Sequence, residues 1–168
     1  QWRTAITADT RAVFFESISN PALEVINIKA VSDLAHEVGA LVVVDNVFAT
    51  PVFSRAVEQG ADLIIYSTTK HVDGQGRTLG GVILGSTALI RETVEPYMKH
   101  TGGSMSPFTA WMMVKSLETI DLRVRAQTAT ALALAEALAD HPKLHRMIYP
   151  GHCSHPQHAL VKQQMGEG

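Results

Sequence analysis

A lysine that follows a run of hydroxyl residues is the first feature of this sequence that can carry chemistry. Ser67, Thr68 and Thr69 follow a short apolar segment, and Lys70 comes directly after them. Hydroxyl and backbone N–H groups at the end of a strand can hold a phosphate, and a lysine amine is a nucleophile toward an aldehyde. Because most lysines are solvated surface residues, this interpretation needs a second group near Lys70.

Asp45 provides that second group. It ends the apolar run Leu41 to Val44, whose composition is typical of a parallel strand. A carboxylate there can keep a pyridine nitrogen protonated, and the pyridinium ring is the electron sink of pyridoxal phosphate. Asp45 alone would be interpreted as a turn residue. Asp45 and Lys70 together, at the ends of neighbouring strands, predict a pyridoxal-phosphate site.

The alternation of apolar segments and helical patterns places these groups on one edge of a sheet. The sequence predicts strands over 12–15, 41–44, 62–66 and 82–84, and helices over 28–38, 52–59, 87–99, 107–118 and 121–139. This order is typical of an α/β fold with a mostly parallel sheet. Such sheets bind ligands beyond the carboxyl ends of their strands. Asn20, Asp45 and the segment 67–70 all follow predicted strands, so we expect them to converge there.

Composition excludes several other classes of protein. Hydrophobic residues make up 46% of the chain and charged residues 18%, which a disordered tail would not have. The net charge of −2 gives no basic surface for nucleic acid. No apolar run approaches the ~20 residues needed to span a membrane. The single cysteine, Cys153, cannot form an internal disulfide, which fits a reducing, cytoplasmic compartment.

Some residues suggest chemistry that their context does not support. The segment 152–158 holds three histidines and Cys153, but its spacing matches no common zinc pattern, so we expect a structured loop without a metal. His71 could tune proton transfer, although packing on the cofactor edge is the expected role. Arg123 and Arg125 could contact a phosphate of a partner subunit, although a solvated helix face is expected for both.

Several motifs resemble those of a known enzyme family. Segments 44–51 and 60–71, which surround Asp45 and Lys70, are similar to the signature of the Cys/Met-metabolism family of pyridoxal-phosphate enzymes. Segment 15–21 resembles the family's Glu-Ser/Thr-Pro-Thr/Ser-Asn-Pro motif, with Ile18 in place of the usual proline. The resemblance extends to segment 103–111, which reads Gly-x-x-Ser-Pro-Phe-x-x-Trp and is similar to the family's Gly-x-x-x-Ser-Pro-Phe-x-x-Trp element, and to a Tyr-Pro-Gly marker at 149–151 and a Ser-His-Pro marker at 154–156.

The resemblance implies a fold, a cofactor and residue roles. The fold is part of the large domain of a fold-type I enzyme, with a mostly parallel sheet flanked by helices, and the cofactor is pyridoxal 5'-phosphate. Lys70 would hold the cofactor covalently and move protons as the catalytic residue. Asp45 would pair with the pyridine nitrogen, and Ser67 and Thr69 would bind the phosphate. Asn20 would contact the 3-oxygen and the region of the substrate carboxylate.

The loop after Lys70 narrows the expected reaction. Segment 70–77, with Gly80 and Gly81, resembles the O-succinylhomoserine sulfhydrylases of this family. This implies γ-replacement on an O-acylated homoserine by sulfide, which gives homocysteine for methionine biosynthesis. Cystathionine γ-synthase or γ-lyase activity is an alternative, and so is a non-catalytic fragment with an incomplete site. The sequence leaves the acyl group and the sulfur donor open.

The ends of the sequence predict a piece of a longer protein. There is no initiator methionine or signal peptide, and the last residues have no helix-ending pattern. We expect residues 1–140 to be the central part of the cofactor-binding large domain and residues 141–168 to begin a C-terminal domain. The family implies a homo-oligomer, a dimer or a tetramer, because a neighbouring subunit lends residues to each phosphate site. The chain alone is expected to expose one apolar face of its sheet.

Overall fold

Four strands form a single sheet in the computed structural model, which describes residues 1–166. They are β1 Ala12–Glu16, β2 Leu41–Asp45, β3 Leu63–Ser67 and β4 Gly81–Gly85, and they pair in sequence order. β1, β2 and β3 run parallel, and β4 is antiparallel to β3. The expected α/β fold with a mostly parallel sheet is confirmed, and each predicted strand is present.

Helices connect the strands and follow them. They are α1 Trp2–Ala5, α2 Ile28–Glu37, α3 Thr50–Phe53, α4 Thr87–Leu89, α5 Glu95–Thr101, α6 Pro107–Leu117, α7 Ile120–Leu138 and α8 His158–Met165, and a π-helical turn, Ile90–Val94, joins α4 to α5. Asn27 and Ser106 cap α2 and α6, because their side chains accept backbone N–H groups of the first turn. No helix within residues 1–166 is long and apolar enough to cross a membrane.

The main core lies on one face of the sheet, here called the covered face. Its strand residues are Val13, Phe15, Val42, Val44, Ile64 and Tyr66. Helix α2 packs on them through Ile28, Val31 and Ala35, all at most 2% exposed. Fully burying one such side chain contributes about 1.5–3 kcal/mol. This core therefore fixes the register of the strands and, with it, the positions of their ends.

The opposite face, here called the open face, carries the alternate residues of the same strands. Phe14 is 61% exposed and Leu41 is 40% exposed. The α4–α5 segment borders only the β3–β4 side, across a groove of about 710 Å³ that includes Ile65 and Ile83. Parallel sheets are normally covered on both faces. The expectation of an exposed apolar sheet face is confirmed.

The single helix predicted over 52–59 is wrong. The structure has α3, then Ser54 in an extended conformation (φ −125°, ψ 119°), then a short 3₁₀ helix, Ala56–Gln59. Asn46 Nδ2 donates hydrogen bonds to the carbonyl oxygens of Thr50 and Ser54, at 3.3 and 3.0 Å. The Asn46 side chain thus gives the Ser54 carbonyl a donor at the point where α3 ends, in place of the N–H of a further helical turn.

The chain beyond residue 141 packs back on the first third of the sequence. Val161 and Met165 of α8 form a buried cluster with Val25 and Ala49. Gln164 Oε1 accepts the N–H of Ile28 at 2.8 Å. These contacts explain how the segment is held. The predicted boundary between two domains at residue 140 stays a prediction. Residues 167 and 168, the end of the predicted second domain, lie outside the described part of the chain.

Candidate active site

Asp45 and Ser67 lie at the same edge of the sheet and on the same face. Each is the last residue of its strand, β2 or β3, and these strands are parallel neighbours. The residues before them, Val44 and Tyr66, are buried in the core of the covered face. Because side chains alternate along a strand, Asp45 and Ser67 both belong to the open face. Asp45 Oδ1 accepts the N–H of Val47 at 3.1 Å, which orients the carboxylate.

Lys70 stands in the turn Thr68–Val72, here called the lysine turn, which begins where β3 ends and is kinked at Lys70 itself (φ −86°, ψ −117°). Its side chain is exposed. The preceding residue, Thr69, is anchored to the chain that leads into β4, because its Oγ1 accepts the N–H of Gly80 at 3.1 Å. The structure therefore places Lys70, Thr69 and Ser67 within one turn, next to the end of the strand that carries Asp45.

Asn20 lies in the turn that follows β1. It is exposed, and its backbone N–H donates to Glu16 Oε2 at 2.8 Å. Glu16 pairs in register with Asp45. This hydrogen bond ties the Asn20 turn to the same sheet edge. At Ile18, where the family motif has a proline, the turn forms an antiparallel bridge with Val25.

Arg123 fixes the backbone that follows Lys70, so the expectation of a solvated helix face is wrong for this residue. Its guanidinium donates to the carbonyl oxygens of His71 at 2.8 Å and Val72 at 3.0 Å. The same group donates to Ser116 O and Thr119 Oγ1 at the junction of α6 and α7. A planar guanidinium with five donors can satisfy several carbonyls at once. Arg123 thus joins the lysine turn to two helices.

An ion pair between buried Asp73 and partly exposed Arg77 closes the loop after Lys70. The side chain of Asp73 has no exposed surface, and its carboxylate binds the Arg77 guanidinium at 2.8–2.9 Å and the Arg77 N–H. Arg77 Nη2 also donates to Ser116 Oγ at 2.8 Å. Burial raises the pKa of the Asp73 carboxyl, but the hydrogen bonds and charge of Arg77 outweigh burial and hold this pKa below its usual value.

Asn46 and Tyr66 form a buried hydrogen bond under the site. Asn46 is fully buried, and its Nδ2 donates to the Tyr66 hydroxyl at 2.9 Å. Sequence analysis missed this pair, and it missed the roles of Arg123, Asp73 and Arg77. The contacts of Asn46 with Tyr66 and of Arg123 with the lysine turn join residues that only the folded chain brings together. The Asp73–Arg77 pair is local, four residues apart, and its spacing is the one signal that could have been found in the sequence.

The histidines of segment 152–158 make hydrogen-bonding contacts that hold this loop in place, within the loop and to the turn near Leu23. His155 Nε2 lies 3.1 Å from Leu23 O, and His152 Nδ1 lies 2.8 Å from Ser154 Oγ. Within residues 1–166, no group of three His, Cys, Asp or Glu side chains is arranged to hold a metal ion. His71, next to Lys70, lines an apolar cavity of about 290 Å³ with Phe48 and Tyr149.

Comparison with known proteins identifies the family. All 168 residues match the family described as Cys/Met metabolism PLP-dependent enzyme. This chain belongs to that family. The family's enzymes are transferases and lyases that use pyridoxal 5'-phosphate, which confirms the expected enzyme class and cofactor.

The relatives of this family member include sulfhydrylases and lyases. The chain is 49% identical over its full length to O-succinylhomoserine sulfhydrylase of Mycobacterium tuberculosis, and 44% identical over 97% of its length to that of Pseudomonas aeruginosa. It spans 41% and 40% of those proteins. The crystal structure of apo CalE6, a methionine gamma lyase from Micromonospora echinospora, matches 94% of the chain and 43% of CalE6, with a TM-score of 0.90 and 41% identity.

The polar side chains at this sheet edge of the Cys/Met-metabolism chain fit pyridoxal 5'-phosphate. An amine for the aldehyde, a carboxylate for the ring nitrogen and two hydroxyls for the phosphate stand at one sheet edge, on Lys70, Asp45, Ser67 and Thr69. Among the described residues, the Val47 N–H is the one protein donor to the Asp45 carboxylate, so this carboxylate keeps capacity for a ring N–H.

Proposed function

We propose that this chain is part of a pyridoxal-phosphate-dependent enzyme that replaces the γ-substituent of an O-acylated homoserine with sulfide. The observation that carries the proposal is the placement of Lys70 in the turn directly after β3, beside the strand that ends in Asp45. The names of the sulfhydrylase relatives, at 49% and 44% identity, support O-succinylhomoserine as the substrate.

The proposal gives each site residue a defined role. Bound pyridoxal 5'-phosphate supplies an electron sink for the substrate's α-carbon. Lys70 holds the cofactor and then moves a proton from that carbon. Asp45 keeps the ring nitrogen protonated, and Ser67 and Thr69 bind the phosphate. Asn20 orients the 3-oxygen and the region of the substrate carboxylate.

The reaction balances without an oxidant or a reductant. The bond between the γ-carbon and the ester oxygen breaks, and succinate leaves with the bonding electrons. Hydrogen sulfide forms a bond from its sulfur to the same carbon and gives up one proton. The products are homocysteine and succinic acid, which ionises. The protons removed from the α- and β-carbons are returned before the product leaves.

Product analysis tests the proposal and separates it from its main alternative. The intact protein, loaded with cofactor, is given O-succinylhomoserine with sulfide in one assay and with cysteine in another. We expect homocysteine with sulfide and little cystathionine with cysteine. Cystathionine as the main product would instead support a γ-synthase, the name carried by a Nicotiana tabacum relative that is 42% identical over 90% of the chain. O-acetylhomoserine in a third assay tests the acyl group.

We further propose that the enzyme works as a homo-oligomer in the cytoplasm. Helix α6 exposes Phe108 and Trp111, whose rings lie 5.9 Å apart and tilted at 37°, and α7 exposes Leu122. Large apolar side chains grouped on a surface are typical of an interface. Light scattering of the intact protein should give the mass of a dimer or a tetramer. Trp111→Glu, with exposed Leu134→Glu on α7 as the control, should lower that mass if α6 lies in the contact.

A further inference from the structure

We propose that the buried hydrogen bond between Asn46 and Tyr66 sets the spacing between the group that holds the cofactor's ring nitrogen and the group that holds its phosphate. The inference rests on the proposed roles of Asp45 and Ser67. Asn46 directly follows Asp45, and Tyr66 directly precedes Ser67. Asn46 and Tyr66 are therefore positioning residues that act through their neighbours.

The bond lies where the two strands separate. The register of β2 and β3 ends at the pair Asp45 and Ile65, and one further backbone hydrogen bond joins Asn46 N to Ile65 O at 3.0 Å. Beyond this point the backbones diverge into the α3 turn and the lysine turn. The side-chain bond from Asn46 Nδ2 to the Tyr66 hydroxyl, 2.9 Å long, continues the connection past the last backbone bond.

The surroundings hold both partners in one position. Asn46 is fully buried and Tyr66 is 6% exposed. Asn46 Nδ2 faces three acceptors, the carbonyl oxygens of Thr50 and Ser54 and the Tyr66 hydroxyl, and shares its two hydrogens among them, the Thr50 contact being the longest at 3.3 Å. Because carbonyls only accept, the NH2 end of the amide must point toward them, and among the described residues Asn46 Oδ1 has no partner. The Tyr66 ring packs in the core of the covered face. Neither side chain can move without leaving polar groups unpaired or opening a cavity.

This geometry has a specific consequence for ligands that need both ends of the site. Pyridoxal 5'-phosphate contacts the ring-nitrogen group and the phosphate group at once, so its affinity depends on their separation. Pyridoxal, which lacks the phosphate, needs only the ring-nitrogen group and Lys70. A change in separation therefore weakens pyridoxal 5'-phosphate more than it weakens pyridoxal. A general loss of stability would weaken both ligands alike.

The test measures both ligands on the intact apoprotein and on Tyr66→Phe, which removes only the hydroxyl. Dissociation constants come from the visible absorbance of the lysine-bound aldehyde. We expect the constant for pyridoxal 5'-phosphate to rise about tenfold in Tyr66→Phe, equivalent to ~1.4 kcal/mol. The constant for pyridoxal should change less than about twofold, an energy below ~0.5 kcal/mol. Asn46→Ala, which removes all three hydrogen bonds, should shift the ratio of the two constants in the same direction.

Two control variants distinguish a change in the spacing of the two cofactor-binding groups from a general loss of protein stability. Tyr149→Phe makes the same chemical change at a half-buried tyrosine outside the sheet, and Val31→Ala weakens the core of the covered face away from the strand ends. Both should leave the ratio unchanged. An unchanged ratio in Tyr66→Phe, with normal binding by the wild type, would overturn this inference alone. A wild type that binds neither aldehyde at Lys70 would overturn the proposed function, and this inference with it.

Discussion

Gly74 packs so closely against Arg123 that a Cβ on Gly74 would collide with Nη1 of the guanidinium. Gly74 also has a φ of +73°, in the left-handed region that favours glycine. Two independent constraints thus fall on one position in the loop after Lys70. Because Arg123 is held by hydrogen bonds to backbone carbonyls, it cannot yield space to a Cβ without losing them.

Gly74→Ala should therefore destabilise the protein more than the backbone conformation alone predicts. The natural control is Gly76→Ala, since Gly76 has a φ of +67° and nothing within 4 Å of an added Cβ. We expect the free energy of unfolding to fall by about 1–2 kcal/mol in Gly76→Ala. Gly74→Ala should lose a further ~1.5–3 kcal/mol, the usual contribution of hydrogen bonds to a charged group.

Urea denaturation of both variants, in the wild-type and in the Arg123→Ala background, measures the difference. Without the guanidinium, Gly74→Ala and Gly76→Ala should lower the free energy of unfolding by the same amount. If Gly74→Ala still lowers the free energy of unfolding more than Gly76→Ala in the Arg123→Ala background, another contact constrains Gly74.

Lys70→Ala should abolish both covalent cofactor binding and turnover in the intact protein. Lys70 is the lysine in the turn after β3, next to Ser67 and Thr69. Borohydride reduction of the wild type followed by peptide mapping should find the pyridoxyl group on Lys70. A pyridoxyl group on Lys29, Lys99 or Lys115 would contradict the assignment.

Asp45→Asn should keep the fold and lose most of the activity. An amide is close in size to the carboxylate and can still accept the Val47 N–H, but it cannot keep the ring nitrogen protonated. We expect a loss of several kcal/mol in transition-state stabilisation, where each ~1.4 kcal/mol is tenfold in rate. Steady-state kinetics together with circular dichroism tests this. Near-normal turnover would remove Asp45 from its proposed role.

The ion pair of Asp73 and Arg77 should make stability sensitive to acid. The pKa of Asp73 is lowered in the folded protein by Arg77, even though burial opposes this. Its carboxylate therefore stabilises the fold above the unfolded pKa of about 3.9, and this contribution is lost as the pH falls through the folded pKa. The stability difference between wild type and Asp73→Asn should be largest near neutral pH and narrow below pH ~4.

Urea midpoints from pH 7 down to pH 3 measure that difference. Asp33→Asn is the control, because Asp33 pairs with Lys29 on the exposed face of α2 and exposed pairs contribute only ~0–1 kcal/mol. A difference for Asp73→Asn that grows as the pH falls would contradict the lowered pKa.

Residues 1–168 on their own should show no sulfhydrylase activity, bind pyridoxal 5'-phosphate weakly or not at all, and self-associate. The open face exposes Phe14 and Leu41, and Lys70 is open to water. A site exposed to water loses the dry environment that strengthens its electrostatics. Assays of homocysteine formation and light scattering test this. A turnover of about 1–10³ s⁻¹, as in ordinary enzymes, would show that these residues form a sufficient site.

The sequence predicted the strand ends well because short apolar runs with polar residues after them are a local signal. Asp45 and Lys70 are apparent from such runs. The helix over 52–59 could not be rejected from sequence, because Asn46, well before it, ends α3 with its side chain. Arg123 looked solvated because its partners are carbonyls about 50 residues earlier. In both cases the deciding contact comes from a residue outside the segment on which the prediction was based, eight residues away for Asn46 and about 50 for Arg123.

The sequential order of the strands bears on how the chain folds during its synthesis. Each new strand pairs with the one made just before it, so the sheet can grow as the chain emerges. Synthesis adds ~5–20 residues per second, so β2 and β3 leave the ribosome seconds before α7 does. Asp45 and Ser67 can therefore be aligned by the growing sheet before α7 is complete. Arg123 joins the lysine turn last, and we expect this turn to be the final part of the site to become rigid.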